Sequence, residues 1–256
     1  MSNVPPTGFG PGTYGASFAD VYDDWYGALP GGEAAVDFLA DAAARVHPHP
    51  VLELGIGTGR LALPLAARGP QVHGVDAAPA MVDILRAKPG ADALHLTTAD
   101  MAGPDPAGPF GLVFVAVNTF FNLDTEAEQR RCLANVADRL VPGGLFVIEA
   151  FVPAADPDRV RDHVGISALA LDRLVLTATR EDPADQTLTG QHVELVDGAP
   201  VRLRPWRIRW VTPAQLDEMA AVVGLSLVER YATWSREAFS VISAQHVSVF
   251  SKADVG

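Results

Sequence analysis

The segment Gly55-Ile56-Gly57-Thr58-Gly59-Arg60 follows the apolar run Val51-Leu52-Glu53-Leu54 and leads into Leu61, where a helical pattern opens. Glycines at such a bend let the chain turn tightly and let a ligand lie against bare backbone. This spacing places a nucleotide-like ligand at the C-terminal edge of a strand. Asp76 closes the next short apolar run, 23 residues after Glu53, where a carboxylate can accept both hydroxyl hydrogens of a ribose. A dinucleotide fingerprint would need glycine at position 60, which is Arg60; the spacing here is G-x-G-x-G with Glu53 two residues ahead of the first glycine. Ala99-Asp100-Met101 follows a third run and reads by itself as an ordinary strand-end turn.

The elements that must position these residues read as alternating strands and helices. Strands are predicted over Val51–Leu54, Val72–Val75, Leu94–Thr97, Leu112–Val117 and Leu145–Phe151. Helices are predicted over Leu61–Ala67, Ala80–Ala87 and Thr125–Leu140, with Pro142-Gly143-Gly144 as a turn. The unbroken apolar stretch at Leu112–Val117 suits a central strand covered on both faces. Before them, Phe18 to Val46 carries helix-like spacing broken at Pro30-Gly31-Gly32, which predicts two helices, with order beginning near Tyr14. After Pro153 the period becomes two over Leu174–Thr179, Leu188–Val196 and Val201–Trp210, and Asp197-Gly198 marks a hairpin. A helix at Pro213–Val223 and strands at Leu225–Arg230 and His246–Ser251 return the chain to the main sheet. The expectation is an α/β fold: a doubly wound, mostly parallel seven-stranded Rossmann-like sheet with a small antiparallel insertion. Residues 1–46 would form N-terminal cap helices and residues 47–256 the ligand-binding domain, with the insertion at about residues 153–210 covering a substrate.

The order Glu53-Leu54-Gly55-Ile56-Gly57-Thr58-Gly59, with Asp76, Asp100 and Pro142-Gly143-Gly144, resembles class I S-adenosylmethionine (SAM)-dependent methyltransferases, and the resemblance covers Val51 to Phe151. Tyr14 to Tyr26 resembles the N-terminal cap of small-molecule N- and O-methyltransferases. The resemblance implies SAM as cofactor, S-adenosylhomocysteine as product, and methyl transfer to N or O, possibly C, of a small molecule. It implies cofactor contacts from Tyr14, Tyr22, Glu53, Gly55, Gly57, Gly59, Arg60, Asp76, Ala77, Met81, Asp100, Met101 and Asn118. Met81 would pack on adenine or simply in the core. Arg60 or backbone amides would meet the methionyl carboxylate. Tyr26, Phe120, Phe121, Trp206 and Arg207 would meet the acceptor.

A hydroxyl or ammonium acceptor needs a proton acceptor, which near neutral pH is usually histidine. His163 and His192 lie in segments expected to overhang the strand ends; each also reads as a surface histidine. Glu149 is a further candidate base or ammonium anchor, or an ion-pair partner for the insertion. On Val201–Trp210, Arg207 and Arg209 share one side and Trp206 and Trp210 the other. Asn118, Asn122 and Asp124 do not make the carboxylate cluster of a metal-dependent subclass, so no metal is expected. An NAD-dependent oxidoreductase and a SAM-binding sensor are the alternatives.

With 256 residues and 48% hydrophobic content, the chain can bury one large core. A net charge of -12 opposes binding to phosphate backbones, and no basic run offsets it. Cys132 is the single cysteine, which excludes an intramolecular disulfide. No apolar run reaches the roughly 20 residues of a spanning helix, and Met1 to Tyr14 lacks a signal-peptide pattern. The expectation is a cytoplasmic monomer or homodimer without nucleic-acid or membrane partners.

Overall fold

The computed structural model describes residues 9–27, 31–153 and 160–253. Strands β1 (Val51–Leu54), β2 (Val72–Asp76), β3 (Leu94–Thr98), β4 (Phe110–Val115) and β5 (Leu140–Phe151) are parallel; β10 (Leu225–Tyr231) and β11 (Gln245–Lys252) complete the sheet. Its order is β10-β11-β5-β4-β1-β2-β3, with β11 antiparallel to both neighbours. The chain runs outward from β1 through β2 to β3, then crosses to β4 on β1's other side, so a crevice opens beyond the ends of β1 and β4.

Helices clothe both faces. Against one face lie α6 (Glu126–Arg139) and α7 (Pro213–Val222), packed on Leu52, Val113 and Phe146; against the other lie α3 (Gly32–Arg45), α4 (Ala62–Ala66) and α5 (Pro79–Arg86). Every residue of β4 is buried, in keeping with its apolar run. A capping box, Thr125 with Glu128, starts α6, and a second, Thr212 with Gln215, starts α7.

Three details differ from the sequence reading. The cap region holds three helices, α1 (Thr13–Phe18), α2 (Tyr22–Tyr26) and α3, because Val21 leaves the helical region at φ -124° and Asp20 is drawn to Arg202 and Arg204. Pro142-Gly143-Gly144 lies inside β5, where Gly143 at φ +71° absorbs a register shift opposite Phe110 and Leu112. The antiparallel sheet has four strands: β6 (Arg161–Leu169), β7 (Arg173–Asp182), β8 (Thr187–Val196) and β9 (Arg202–Arg209), in that order. The sequence reading missed β6, whose pattern is blurred by Gly165 and by an irregularity between Ile166 and Ala168.

Arg204, 3% exposed, ties this sheet to the cap. It bonds the Ser17 carbonyl at 2.6 Å, Asp20 at 2.5 Å and Glu194 at 2.9 Å. Glu194 also holds Arg173 at 2.8 Å. A buried arginine so fully paired is costly to break, because removing one partner strands the other's charge.

A second buried network joins β10 to β11. Arg230 Nε donates to Ser248 Oγ at 2.7 Å, so the serine hydroxyl hydrogen is free to donate to His246 Nδ1, 2.8 Å away. That arrangement requires a neutral imidazole, and burial, with the nearby Arg230 charge, lowers the His246 pKa from 6.5 to about 4. Above pH 6.5 the group is neutral in both folded and unfolded chains. As pH falls toward 4, the unfolded chain takes up a proton that the folded chain refuses, removing about 3 kcal/mol of stability. Denaturant unfolding across pH 7 to 4 should show this loss, and His246→Asn should flatten that part of the slope.

Candidate active site

The end of β1 turns through Gly55, Gly57 and Gly59, all at positive φ (+70°, +54° and +83°). L side chains rarely adopt that region, so the bend depends on glycine. A Cβ at Gly55 would strike Thr119, and one at Gly59 would strike Leu85, whereas Gly57 faces open space. The Gly57 N–H donates to Asp76 Oδ2 at 2.9 Å, and the Ala78 N–H donates to Oδ1 at 2.8 Å. Burial nevertheless raises the Asp76 pKa, the two backbone bonds only partly offsetting it. Each carboxylate oxygen retains a further lone pair for a ligand hydroxyl.

These groups floor a cavity of about 180 Å³. Asp76, Ala77 and Met81 line one side and Asp100 and Met101 another, with Tyr14 and Tyr22 above. Asp100 is steadied by the Ala102 N–H at 2.9 Å. Tyr14 stacks on Phe18 at 4.6 Å, and its hydroxyl donates to Tyr26. Burial raises the pKa of Tyr14 well above its usual range and that of Tyr22 to about 12, so both hydroxyls stay protonated. The cap is pinned to the glycine bend through Asp23, which accepts from Thr58 Oγ1 at 2.6 Å and pairs with Lys88 at 2.7 Å.

Glu53 sits beneath this floor, 5% exposed, with Oε2 buried and unpartnered. Burial pushes its pKa well up; the Arg60 charge and a bond from the Ala62 N–H pull the other way. Arg60, Asn118 and Glu149 line a neighbouring cavity of about 200 Å³ with Trp234 and Gln245, not the main one. There Glu149 Oε2 accepts from the Val117 N–H at 2.8 Å, and Asn118 Oδ1 accepts from the Phe151 N–H at 2.7 Å. Val117 and Asn118 are both left-handed, at φ +53° and +61°, so these two side chains brace a strained exit from β4. Gly59 packs on helix side chains instead of lining the main cavity.

Phe120 and Phe121 require a correction. Both are fully buried in the core beneath α6, because the short 3₁₀ turn Thr119–Asn122 rotates them inward. Thr119, Asn122, Leu123, Asp124 and Glu128 line the cavity instead. The capping box at Thr125 could have located them: it starts α6 there, which leaves the residues before it at the strand ends. Burial raises the Asp124 pKa, and its Oδ1 is buried without a partner; the Arg207 charge acts against that rise.

On the antiparallel sheet, Trp206 lies over bare Gly190 and packs on the cluster of Phe18, Ala78 and Met81. His192 shares that face, its ring 5.5 Å from both Phe18 and Trp25, with Nδ1 2.7 Å from Thr177 Oγ1. His163 is exposed and borders a separate groove with Arg207. Among the described residues, no helix is long and apolar enough to cross a membrane.

The residues present suit SAM: a backbone cradle, a strand-end carboxylate, a second carboxylate followed by Met101, and an orphaned acidic oxygen below. A family model described as a methyltransferase domain matches residues 51–144. The cypemycin N-terminal methyltransferase of Streptomyces sp is 27% identical over 245 residues, 92% of this chain and 99% of that protein. The CcbJ methyltransferase of Streptomyces caelestis is 39% identical, covers 96% of this chain and 100% of its own, and has a TM-score of 0.88. The SAM-bound amino pentose methyltransferase CalS10 of Micromonospora echinaspora is 25% identical, with coverage of 91% and 97% and a TM-score of 0.69. Neither NAD chemistry nor a sensor role is favoured by these relatives; the chain belongs to the class I SAM-dependent methyltransferases, enzymes whose cofactor is SAM.

Proposed function

We propose that this enzyme methylates an amine nitrogen of a small molecule, and that the cofactor side chains divide as follows. Asp76 takes the ribose hydroxyls, Asp100 the adenine amino group, and Met81 and Met101 the two faces of the ring, with Ala77 beside them. Tyr14 and Tyr22 close over the methionyl end, while Glu53 and Arg60 supply charge beneath it. The described residues before position 47 act as the cap, and the four-stranded sheet roofs the acceptor through Trp206 and His192.

The observation that carries the amine reading is Asp124. Once the nucleoside has taken Asp76 and Asp100, the same cavity still offers a carboxylate with a buried, unpartnered oxygen. An ammonium donor satisfies it; a neutral hydroxyl does so less strongly. The full-length likeness to proteins described as an N-terminal methyltransferase and an amino pentose methyltransferase supports the same class.

Bound SAM supplies a methyl group already activated by a positive sulfonium. The protein's part is alignment of the nitrogen lone pair behind that carbon, so that the N–C bond forms as the C–S bond breaks and its electron pair stays on sulfur. The acceptor's excess proton needs a receiver. His192 is suited because burial, with Arg204 second, lowers its pKa below 6.5 and keeps it neutral. The rings around it, Phe18, Trp25 and Trp206, limit water at the imidazole. His163 and Arg207, on the separate groove, are reserved for a distal part of the acceptor.

Transfer of tritiated methyl from SAM should label amines and leave phenols and plain sugars unlabelled; labelling of hydroxyl acceptors alone would overturn the nitrogen assignment. Asp76→Ala should raise the SAM dissociation constant about tenfold or more in calorimetry through loss of charge-assisted bonds. An unchanged constant removes Asp76 from the site. The acid limb of kcat should fall below pH 6.5, since protonating His192 disables the base and its pKa is lowered. His192→Gln should erase that limb and reduce kcat by about 100-fold while leaving SAM affinity unchanged.

A further inference from the structure

Thr177 stands directly opposite His192 in the register of β7 and β8, in a row that runs Gly165, Thr177, His192 and Arg204 across the four strands. Side chains placed directly opposite each other lie within contact distance. Here they make a hydrogen bond of 2.7 Å between Thr177 Oγ1 and His192 Nδ1. Thr177 Oγ1 is bonded in turn to Ser167 Oγ, and Ser167 is exposed. Ser167 reaches that hydroxyl because β6 is irregular between Ile166 and Ala168, where an extra residue enters the strand, and because Gly165 has no side chain of its own in the row. The other neighbours of the imidazole are rings: Phe18, Trp25 and Trp206 lie 5.5, 5.5 and 6.3 Å from it. They hold the plane of the ring but offer neither nitrogen a lone pair. Among the described residues, the Thr177 hydroxyl is the only side-chain hydrogen-bond partner of His192, so the choice between the two neutral tautomers falls to it.

We infer that Thr177 is the positioning residue of His192: its oxygen accepts from Nδ1–H and its hydrogen goes to Ser167, which leaves the Nε2 lone pair free for the acceptor's proton. This rests on the reading of His192 as the proton receiver. A threonine hydroxyl has one hydrogen, and once it is given to Ser167 it cannot be given to Nδ1. Ser167 holds that direction because its exposed hydroxyl passes its own hydrogen to solvent. The reverse orientation would put the hydrogen of the neutral imidazole on Nε2, where no lone pair would remain. When Nε2 takes a proton, both ring nitrogens carry hydrogen and Nδ1–H needs an acceptor. Thr177 is already in place as one, so no group has to turn at that moment. Around this row Asp20 and Glu194 pair with Arg204, Glu194 also pairs with Arg173, and the His163 ring folds over Gly165, so no carboxylate serves Nδ1. A neutral hydroxyl orients the ring without raising its basicity as a carboxylate would, and the Arg204 charge next in the row opposes the imidazolium further.

Thr177→Val keeps the branched shape suited to a strand and removes the hydroxyl. Nitrogen-15 NMR of histidine-labelled protein at neutral pH, with the His192 signals identified by their loss in His192→Gln, should show the Nδ1–H tautomer in the parent. In Thr177→Val that preference should disappear. Its kcat should fall about tenfold, as for loss of one hydrogen bond to a charged group, with the SAM dissociation constant and the acceptor KM unchanged. The acid limb of kcat should move to lower pH, because an imidazolium without an acceptor at Nδ1 loses its proton more readily. Thr177→Ser restores a hydroxyl and should restore both tautomer and limb. Ser167→Ala, which frees the Thr177 hydrogen to turn inward, should raise the share of the Nε2–H form. If Thr177→Val does not fold, Thr177→Ala carries the same readouts. A parent in the Nε2–H form overturns the inference, and so does a folded hydroxyl-free variant with the parent's tautomer and pH profile. Full kcat in His192→Gln would instead defeat the proton-receiver reading, and the NMR signals would still decide whether Thr177 sets the tautomer.

Discussion

The carboxylate of Asp76 is the joint on which the site depends. It sits at the end of β2 and accepts from Gly57, in the bend after β1, and from Ala78, ahead of α5. One side chain thus fixes the spacing between two strand ends and the conformation of a bend that only glycine tolerates. The same two bonds moderate the desolvation of a buried acid and leave it able to accept from a ribose. The group that holds the bend together thus keeps lone pairs facing the cavity, and the remaining contacts are arranged around it.

The cap and the antiparallel sheet form a second layer with its own logic. Asp23 locks the cap to the glycine bend, and Arg204 locks the cap to β9 through Asp20, so the tyrosines above the cavity and the tryptophan beside it are set by ion pairs at opposite ends of one short segment. Aromatic rings fill the space between: Phe18 touches Tyr14, Trp25 and His192. The chemistry of methyl transfer suits such a setting, since it asks for alignment in a dry pocket more than for strong acids or bases.

The parallel sheet was legible in the sequence because fully buried strands are short apolar runs between helix patterns, and the glycine bend announces itself by composition. The placement of the glycine bend and of Asp76 at neighbouring strand ends followed from the rules of doubly wound folds. Other parts were not legible. Phe120 and Phe121 looked like cavity walls because they directly follow β4, but one 3₁₀ turn put them in the core and exposed Thr119, Asn122 and Asp124 instead. β6 was missed because Gly165 and the irregularity between Ile166 and Ala168 interrupt its alternation.

What the sequence by itself determined is the part governed by local chemistry: glycines where φ must be positive, an acid one strand away, caps at Thr125 and Thr212, and a change from helical to twofold periodicity after Pro153. Tertiary structure alone decided the rest. Glu149 and Asn118 became braces for a strained strand exit, His192 a half-buried imidazole among rings and His163 a surface residue, and Asp124 an acid with one buried, unpartnered oxygen in the main cavity. These outcomes turn on burial and on which distant groups arrive within hydrogen-bond reach. Desolvation and pairing act across space, and a linear order of residues does not encode distance.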